Sequence, residues 1–216
     1  RLAIAHAVDW EEACEAAGAG VIQPAQSCLA STVFAYQPQG LYEYDPEMAK
    51  EYLAEAGNPD GFAIKATVGE TATTLRILEI IQAYLADVGI ALEIEIVDTP
   101  TLNDANNKGL SQLTVGNMTA NTADPAHTLN GTDQNSPRMA FRVTDERYNE
   151  LMEEGLKEMD TEKRAEIYHE LQAYVFENAI QIPMFEEIIT YAVRDYVVGF
   201  VPDGGLQIDF KTLSIA

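Results

Sequence analysis

Apolar and polar positions along the chain alternate between two periods. Residues 62–68 and 91–97 alternate apolar and polar side chains as half-buried strands do, and between them residues 74–88 repeat apolar positions at helical spacing. That order predicts a β-α-β unit. Ahead of it, Leu2, Ile4, Ala5, Val8 and Ala13 trace one helical face over 1–17, closed by Gly18 and Gly20. Residues 21–40, rich in Pro, Gln, Ser and Gly, are then expected to form an ordered surface loop.

Local punctuation sharpens these boundaries. Asp45-Pro46 places a side-chain acceptor before a proline at the first helical position, and Met48, Ala49, Tyr52, Leu53 and Ala56 continue the apolar face until Gly57. Thr99-Pro100 predicts a further short helix to 106, residues 110–118 a strand, and Asp124-Pro125 another helical turn. Two longer helices are expected over 145–159 and 161–178, followed by strands at 180–185 and 188–193. The alternation implies an α/β fold, a mixed or parallel sheet flanked by helices. Pro202, Gly204 and Gly205 interrupt the aromatic stretch 196–216, which is read as extended and as belonging partly to a neighbour.

Length and composition fit one sizeable core: 216 residues, 47% of them apolar. Charge narrows the partners. Thirty-five acidic against 13 basic side chains give a formal net charge of -22, which repels phosphate backbones and excludes nucleic acid as a natural partner. Such acidity reads as a solvated surface, or as attraction for a cationic ligand. No window reaches the roughly 18 consecutive apolar residues of a membrane span. Arg1 opens directly on the amphipathic pattern, so the chain is expected to begin inside a larger protein. Cys14 and Cys28 lie in no metal-ligand or redox spacing; a local disulfide between them is one reading, closing a loop of about 15 residues.

Four motifs carry a resemblance. The opening Arg1-Leu2-Ala3-Ile4-Ala5-His6-Ala7-Val8-Asp9 is similar to an R-x-A-I-x-x-A-[IV]-D pattern, and residues 44–62 to Y-D-P-x-x-A-K followed by E-A-G and D-G-F. Ile81-Gln82 through Gly89-Ile90 and Ile182-Pro183-Met184-Phe185 complete the set. Together these resemble the oligopeptide, dipeptide and nickel-binding receptors, bacterial extracellular solute-binding protein family 5. The resemblance implies a periplasmic-binding-protein-like (type II) lobe. Residues 1–195 would form the C-terminal ligand-binding lobe, and 196–216 a tail returning toward the hinge or an absent N-terminal lobe. It further implies a non-enzymatic, monomeric receptor without a cofactor. That receptor is extracytoplasmic, in the periplasm or as a cell-surface lipoprotein, and hands a peptide-like or small polar solute to the membrane permease of an ABC transporter.

Peptide-binding relatives resemble G-W-x-x-D-x-x-D-P after the third strand, the first acid of which pairs with a peptide ammonium. Here the stretch runs from Asn117 to Pro125: Met118 stands at the aromatic position, Asn121 at the amine-binding acid, and Asp124-Pro125 keeps the closing pair. Asn121 carries no charge, which points away from free-amine peptides. With Thr114, Asn117, Thr119 and Thr122 it makes an uncharged hydrogen-bonding run suited to a neutral polar ligand such as a sugar or a capped peptide, although Thr and Asn are ordinary turn residues too. Candidate ligand contacts are therefore Asn117, Met118, Thr119, Asn121 and Asp124, the last of which also reads as an N-cap.

Other chemistry is thinner. Arg138 and Arg142 could meet an anion or make surface ion pairs; His6 reads as a helix-face residue near the core, and His127, close to the cleft, and His169, on a solvated helix, lack a paired ligand or base. A secreted hydrolase would need two convergent carboxylates, and Glu153-Glu154 and Glu186-Glu187 are the available pairs. Adjacent residues point apart, which argues against it. An interaction or chaperone-like receptor module is the remaining alternative.

Overall fold

The computed structural model describes residues 1–18, 20–115, 124–129, 145–201 and 210–216. Elements run α1 (Leu2–His6), α2 (Trp10–Gly18), β1 (Ile22–Pro24), α3 (Pro46–Glu55), β2 (Phe62–Gly69), α4 (Ala72–Asp87) and β3 (Ile90–Val97). Next come α5 (Thr99–Lys108), β4 (Leu113–Thr114), α6 (Pro125–Leu129), α7 (Glu146–Lys157), α8 (Thr161–Glu177), β5 (Phe185–Glu187), β6 (Val197–Val198) and β7 (Ser214–Ile215).

The expected β-α-β unit is the centre of the fold. β2 pairs β3 in parallel from Phe62↔Ile90 to Gly69↔Val97, and β4 adds on the other side through Ala66↔Leu113 and Thr67↔Thr114. Register puts Phe62, Ile64, Ala66 and Val68 on the same face as Ile90, Leu92, Ile94 and Ile96, and α4 packs there with Ile77, Leu78, Ile81 and Leu85 buried. Helices α1 to α3 extend this core with Trp10, Ala49 and Leu53. A second core gathers Leu129, Tyr148, Leu151, Tyr168 and Leu171 from α6, α7 and α8 with Cys28, Leu29 and Val33. The α/β expectation holds, with parallel and antiparallel pairing both present. Among the described residues the antiparallel strands form separate pairs, β1 with β5 and β6 with β7.

Capping follows the sequence closely. Asp45 accepts from the N–H groups of Glu47 and Met48, and Asp98, Asp145 and Asp160 cap α5, α7 and α8 in the same way. Four expectations need correction. The helix foreseen over 1–17 is two, because Asp9 accepts from Glu12 N and starts α2 afresh, while Trp10 Nε1 donates to Ala5 O at the end of α1. Segment 21–40 is no plain surface loop: it contains β1 and buries Ala25, Ser27, Cys28, Leu29 and Val33. Gln172 of α8 makes this burial tolerable. Its Oε1 accepts from Ser27 Oγ and Gln37 N, and its Nε2 donates to Ala35 O and Tyr168 O, all at 2.8–2.9 Å.

The third correction concerns strands. Of the two strands foreseen over 180–193, only Phe185–Glu187 forms, since periodicity supplies no partner and β1 offers just three residues. Likewise the strand foreseen from 110 is paired only at Leu113–Thr114, and its last residues, 116–118, lie outside the described residues. Fourth, Cys14 and Cys28 are free thiols. Cys14 belongs to the first core and donates from Sγ to Met184 O, whereas Cys28 is turned into the second, so the expected bridge does not form.

Candidate functional site

Parallel pairing brings the carboxyl ends of β2, β3 and β4, at Gly69, Val97 and Thr114, to one edge of the sheet. In open α/β sheets ligands sit outside that edge, because loops leaving it converge on helix N-termini. Three connections depart here. Glu70 and Thr71 lead into α4, whose first turn receives no side-chain cap. Asp98 leads into α5 and accepts from Thr101 N at 2.8 Å, a hydrogen bond that lowers its pKa. The third connection leaves β4.

β4 is short yet well anchored. Lys65 N donates to Gln112 Oε1 at 2.9 Å, continuing the β2 ladder by a side chain. Asn106 Oδ1 on α5 accepts from Ser111 Oγ at 2.9 Å and Thr114 Oγ1 at 3.2 Å. Thr114 is thus a strand anchor. Asn117, Met118, Thr119, Asn121 and Thr122 follow it in sequence and lie outside the described residues, as do Arg138 and Arg142.

Asp124 reappears as a structural residue. Its Oδ1 accepts from Ala126 N at 2.9 Å, capping α6, and both carboxylate oxygens accept from Arg164 Nη2 at 3.0 Å. The candidate ligand acid therefore already has a cation. Sequence reading missed Arg164. One signal was available: an arginine in the first turn of α8 opposes the helix dipole, so a tertiary partner was to be sought.

The remaining candidates have separate partners. His6 Nδ1 lies 2.9 Å from Glu43 O, with its ring stacked on Tyr52 and edge-on to Tyr42. His127 is exposed on α6 and His169 half-buried on α8. Among the described residues no group of three His, Cys, Asp or Glu side chains is placed to hold a metal. Neither acid pair converges. Glu153 pairs with Lys157 and Glu154 with Arg147. Glu186 accepts from Ser31 N at 2.7 Å, Ser31 Oγ at 3.1 Å and Gln23 Nε2 at 3.2 Å, while Glu187 is exposed.

A parallel sheet with helix-led loops at one carboxyl edge, joined to a helical layer, defines a periplasmic-binding-protein-like lobe. The chain belongs to the bacterial extracellular solute-binding proteins, family 5, whose middle-region model matches residues 1–139. It is 26% identical over 222 residues to the glutathione-binding protein GsiB of Salmonella choleraesuis, covering 97% of this chain and 43% of that protein. It is also 26% identical to heme-binding protein A of Haemophilus influenzae, over 93% of this chain and 38% of that one. Among solved structures, HbpA2 of Haemophilus parasuis superposes with a TM-score of 0.88 at 26% identity, over all of this chain and 44% of that chain. A dipeptide-binding protein of Pseudoalteromonas sp. SM9913, in complex with Met-Leu, shares the fold with a TM-score of 0.85 at 21% identity, over 100% of this chain and 44% of its own. The chain spans about two-fifths of the length of the curated relatives it matches.

Proposed function

We propose that this chain is the C-terminal lobe of a two-lobed, extracytoplasmic solute receptor that delivers a peptide-like or other small polar solute to an ABC-transporter permease. The observation that carries the reading is the family match over residues 1–139. It agrees with a sheet whose carboxyl edge is left to connections leading into helices α4 and α5. Relatives of similar coverage are named for glutathione, haem and dipeptides, so the solute class is broad. Residues 196–216 would return to the other lobe; Tyr196, Val198, Val201, Phe210 and Ile215 stand exposed there, an apolar set that a neighbour would cover. The receptor acts by closing two lobes on its solute, a hinge motion that needs no reacting groups. It is therefore a binder and not an enzyme, either free in the periplasm or held as a surface lipoprotein.

Within this reading Asn121 sets ligand class. Where a carboxylate would hold a desolvated ammonium by a charge-assisted hydrogen bond of roughly 1.5–3 kcal/mol, an amide leaves that amine without a counter-charge. The full-length receptor should then bind free and N-acetylated forms of one dipeptide, such as Met-Leu, within about threefold of each other, and Asn121→Asp should favour the free amine about tenfold, equal to about 1.4 kcal/mol. Calorimetric titration of both forms tests this. A wild-type preference of tenfold or more for the free amine overturns the role given to Asn121. A thermal-shift screen of glutathione and dipeptides, in which no solute raises the melting temperature, would count against the receptor reading itself.

A further inference from the structure

Helices α7 and α8 each carry a line of glutamates at helical spacing. Glu146, Glu150 and Glu154 recur at every fourth residue of α7, and Glu162, Glu166 and Glu170 do the same on α8, all of them exposed. Residues four apart are neighbours on one helix face, so each line sets like charges about 5–6 Å apart at their Cβ atoms. The two lines also meet. Residues 158–160 turn α7 and α8 into an antiparallel hairpin. Arg147 pairs with Glu150 at 3.1 Å and Glu154 at 3.8 Å on its own helix, and with Glu170 across the hairpin. One guanidinium thus sits where the two acidic lines converge. Eleven acidic and four basic side chains fall within 145–178. Two of those bases are engaged away from the lines, Lys157 with Glu153 and Arg164 with Asp124. Folding the hairpin therefore concentrates negative charge that an extended chain keeps apart.

We infer that the α7–α8 hairpin is a salt-dependent element, whose full stability requires dissolved salt at near-molar concentration. The inference does not rest on the receptor reading. Screening length decides the concentration: it is roughly 10 Å at 0.1 M and about 3 Å at 1 M, and the spacing of neighbouring glutamates falls between the two. Repulsion along and between the lines persists at the lower concentration and fades at the higher. Mobile ions can reach these carboxylates, since Glu150, Glu154 and Glu170 keep 54%, 55% and 58% of their side-chain surface exposed. Salt also weakens the Arg147 pairs, but one cation among two lines of carboxylates leaves repulsion as the larger effect. The hairpin supplies Tyr148, Leu151, Tyr168 and Leu171 to the second core, so loosening it opens that core. Helix α3 offers the contrast. Its Glu47, Glu51 and Glu55 form a similar exposed line, but α1, packed against it, holds no acid.

Amide hydrogen exchange in the full-length protein tests this, read at the buried Leu151 and Leu171 and corrected for intrinsic rates. Raising NaCl from about 0.1 M to about 1 M should slow both amides about tenfold in wild type. Glu166→Lys replaces the middle charge of the α8 line with its opposite. Its amides should already be slow at the lower concentration and change less than about threefold over the same range. Glu51→Lys makes the same change in net charge on α3 and should retain the wild-type response. KCl should match NaCl, because screening depends on ionic strength alone. A wild-type response below about threefold overturns the inference. So does a Glu51→Lys protein that loses its response as Glu166→Lys does, which would make total charge the cause. A response to only one of the two salts overturns it as well, since that means a bound cation in place of screening. Should Glu166→Lys not fold, Glu166→Gln takes its place: a response smaller than wild type supports the inference, and an equal one overturns it.

Discussion

Both thiols lie in apolar cores, and desolvation pushes the pKa of Cys14 up to about 11 and that of Cys28 up to about 12. In the unfolded chain a thiol titrates near about 8.5. Above that pH the unfolded state releases these protons first, so the stability they contribute is complete below about pH 8.5 and declines as pH rises toward the folded values. Urea midpoints should therefore fall more steeply between pH 8.5 and 11 in the native sequence than in a Cys14→Ala/Cys28→Ala variant. That variant retains Tyr42 and Tyr84, whose burial-raised pKa values act in the same direction at higher pH. Parallel slopes in the two proteins would show that the thiols are not the cause. Gln172 is the other residue whose role is set by burial. Replacing it with Leu strands Ser27 Oγ, Gln37 N and Ala35 O, and the cost should be roughly 2–4 kcal/mol in urea unfolding, with an unchanged m value. A loss below about 1 kcal/mol would mean that water replaces the amide. Nothing in the pattern around Gln172 announced this hub, because three of its four partners come from one segment, 27–37, more than 130 residues away, and the fourth from the preceding turn.

At the scale of elements, two glycines set the spacing of the parallel strands. Gly61 precedes β2 at a φ of 79° and Gly89 precedes β3 at 89°. A Cβ on Gly61 would lie 1.9 Å from Gly89 O, whereas one on Gly57, also at positive φ, meets nothing within 4 Å. Gly57→Ala should cost about 1 kcal/mol of backbone strain, and Gly61→Ala clearly more, because the strand ends must separate as well. Chemical denaturation of the pair checks this order, and equal losses would contradict it. Elements that local rules describe fully were legible: α3, α5, α7 and α8 all begin at an aspartate cap. Those that depend on a partner were not. β5 stops where β1 stops, and the break at Asp9 depends on a cap competing with a continuous apolar face.

Over the whole molecule the described large apolar side chains that remain exposed concentrate after β5: Ile188, Ile189, Val193, Tyr196, Val198, Val201, Phe210 and Ile215. The first core and its helical companion are complete without them. On the proposed two-lobed reading, in which these 216 residues supply only one wall of the pocket, they should fold cooperatively alone yet bind no solute at micromolar affinity. Circular dichroism melting and calorimetry with glutathione and Met-Leu check the two halves of that statement. Micromolar binding by the single lobe would place the whole site within it.

Hydrophobic period, caps and glycine punctuation are local properties, and from them the sequence determined the β-α-β unit and the boundaries of most helices, while the resemblance of four short motifs carried the kinship to family 5. The tertiary structure alone decided that Asp124 is held by Arg164, that Gln172 organises a coil and that the two cysteines stay apart in separate cores. Those outcomes depend on which segments meet across tens to more than a hundred residues. Contact at that separation is fixed by packing of the assembled layers, and no window of sequence contains it.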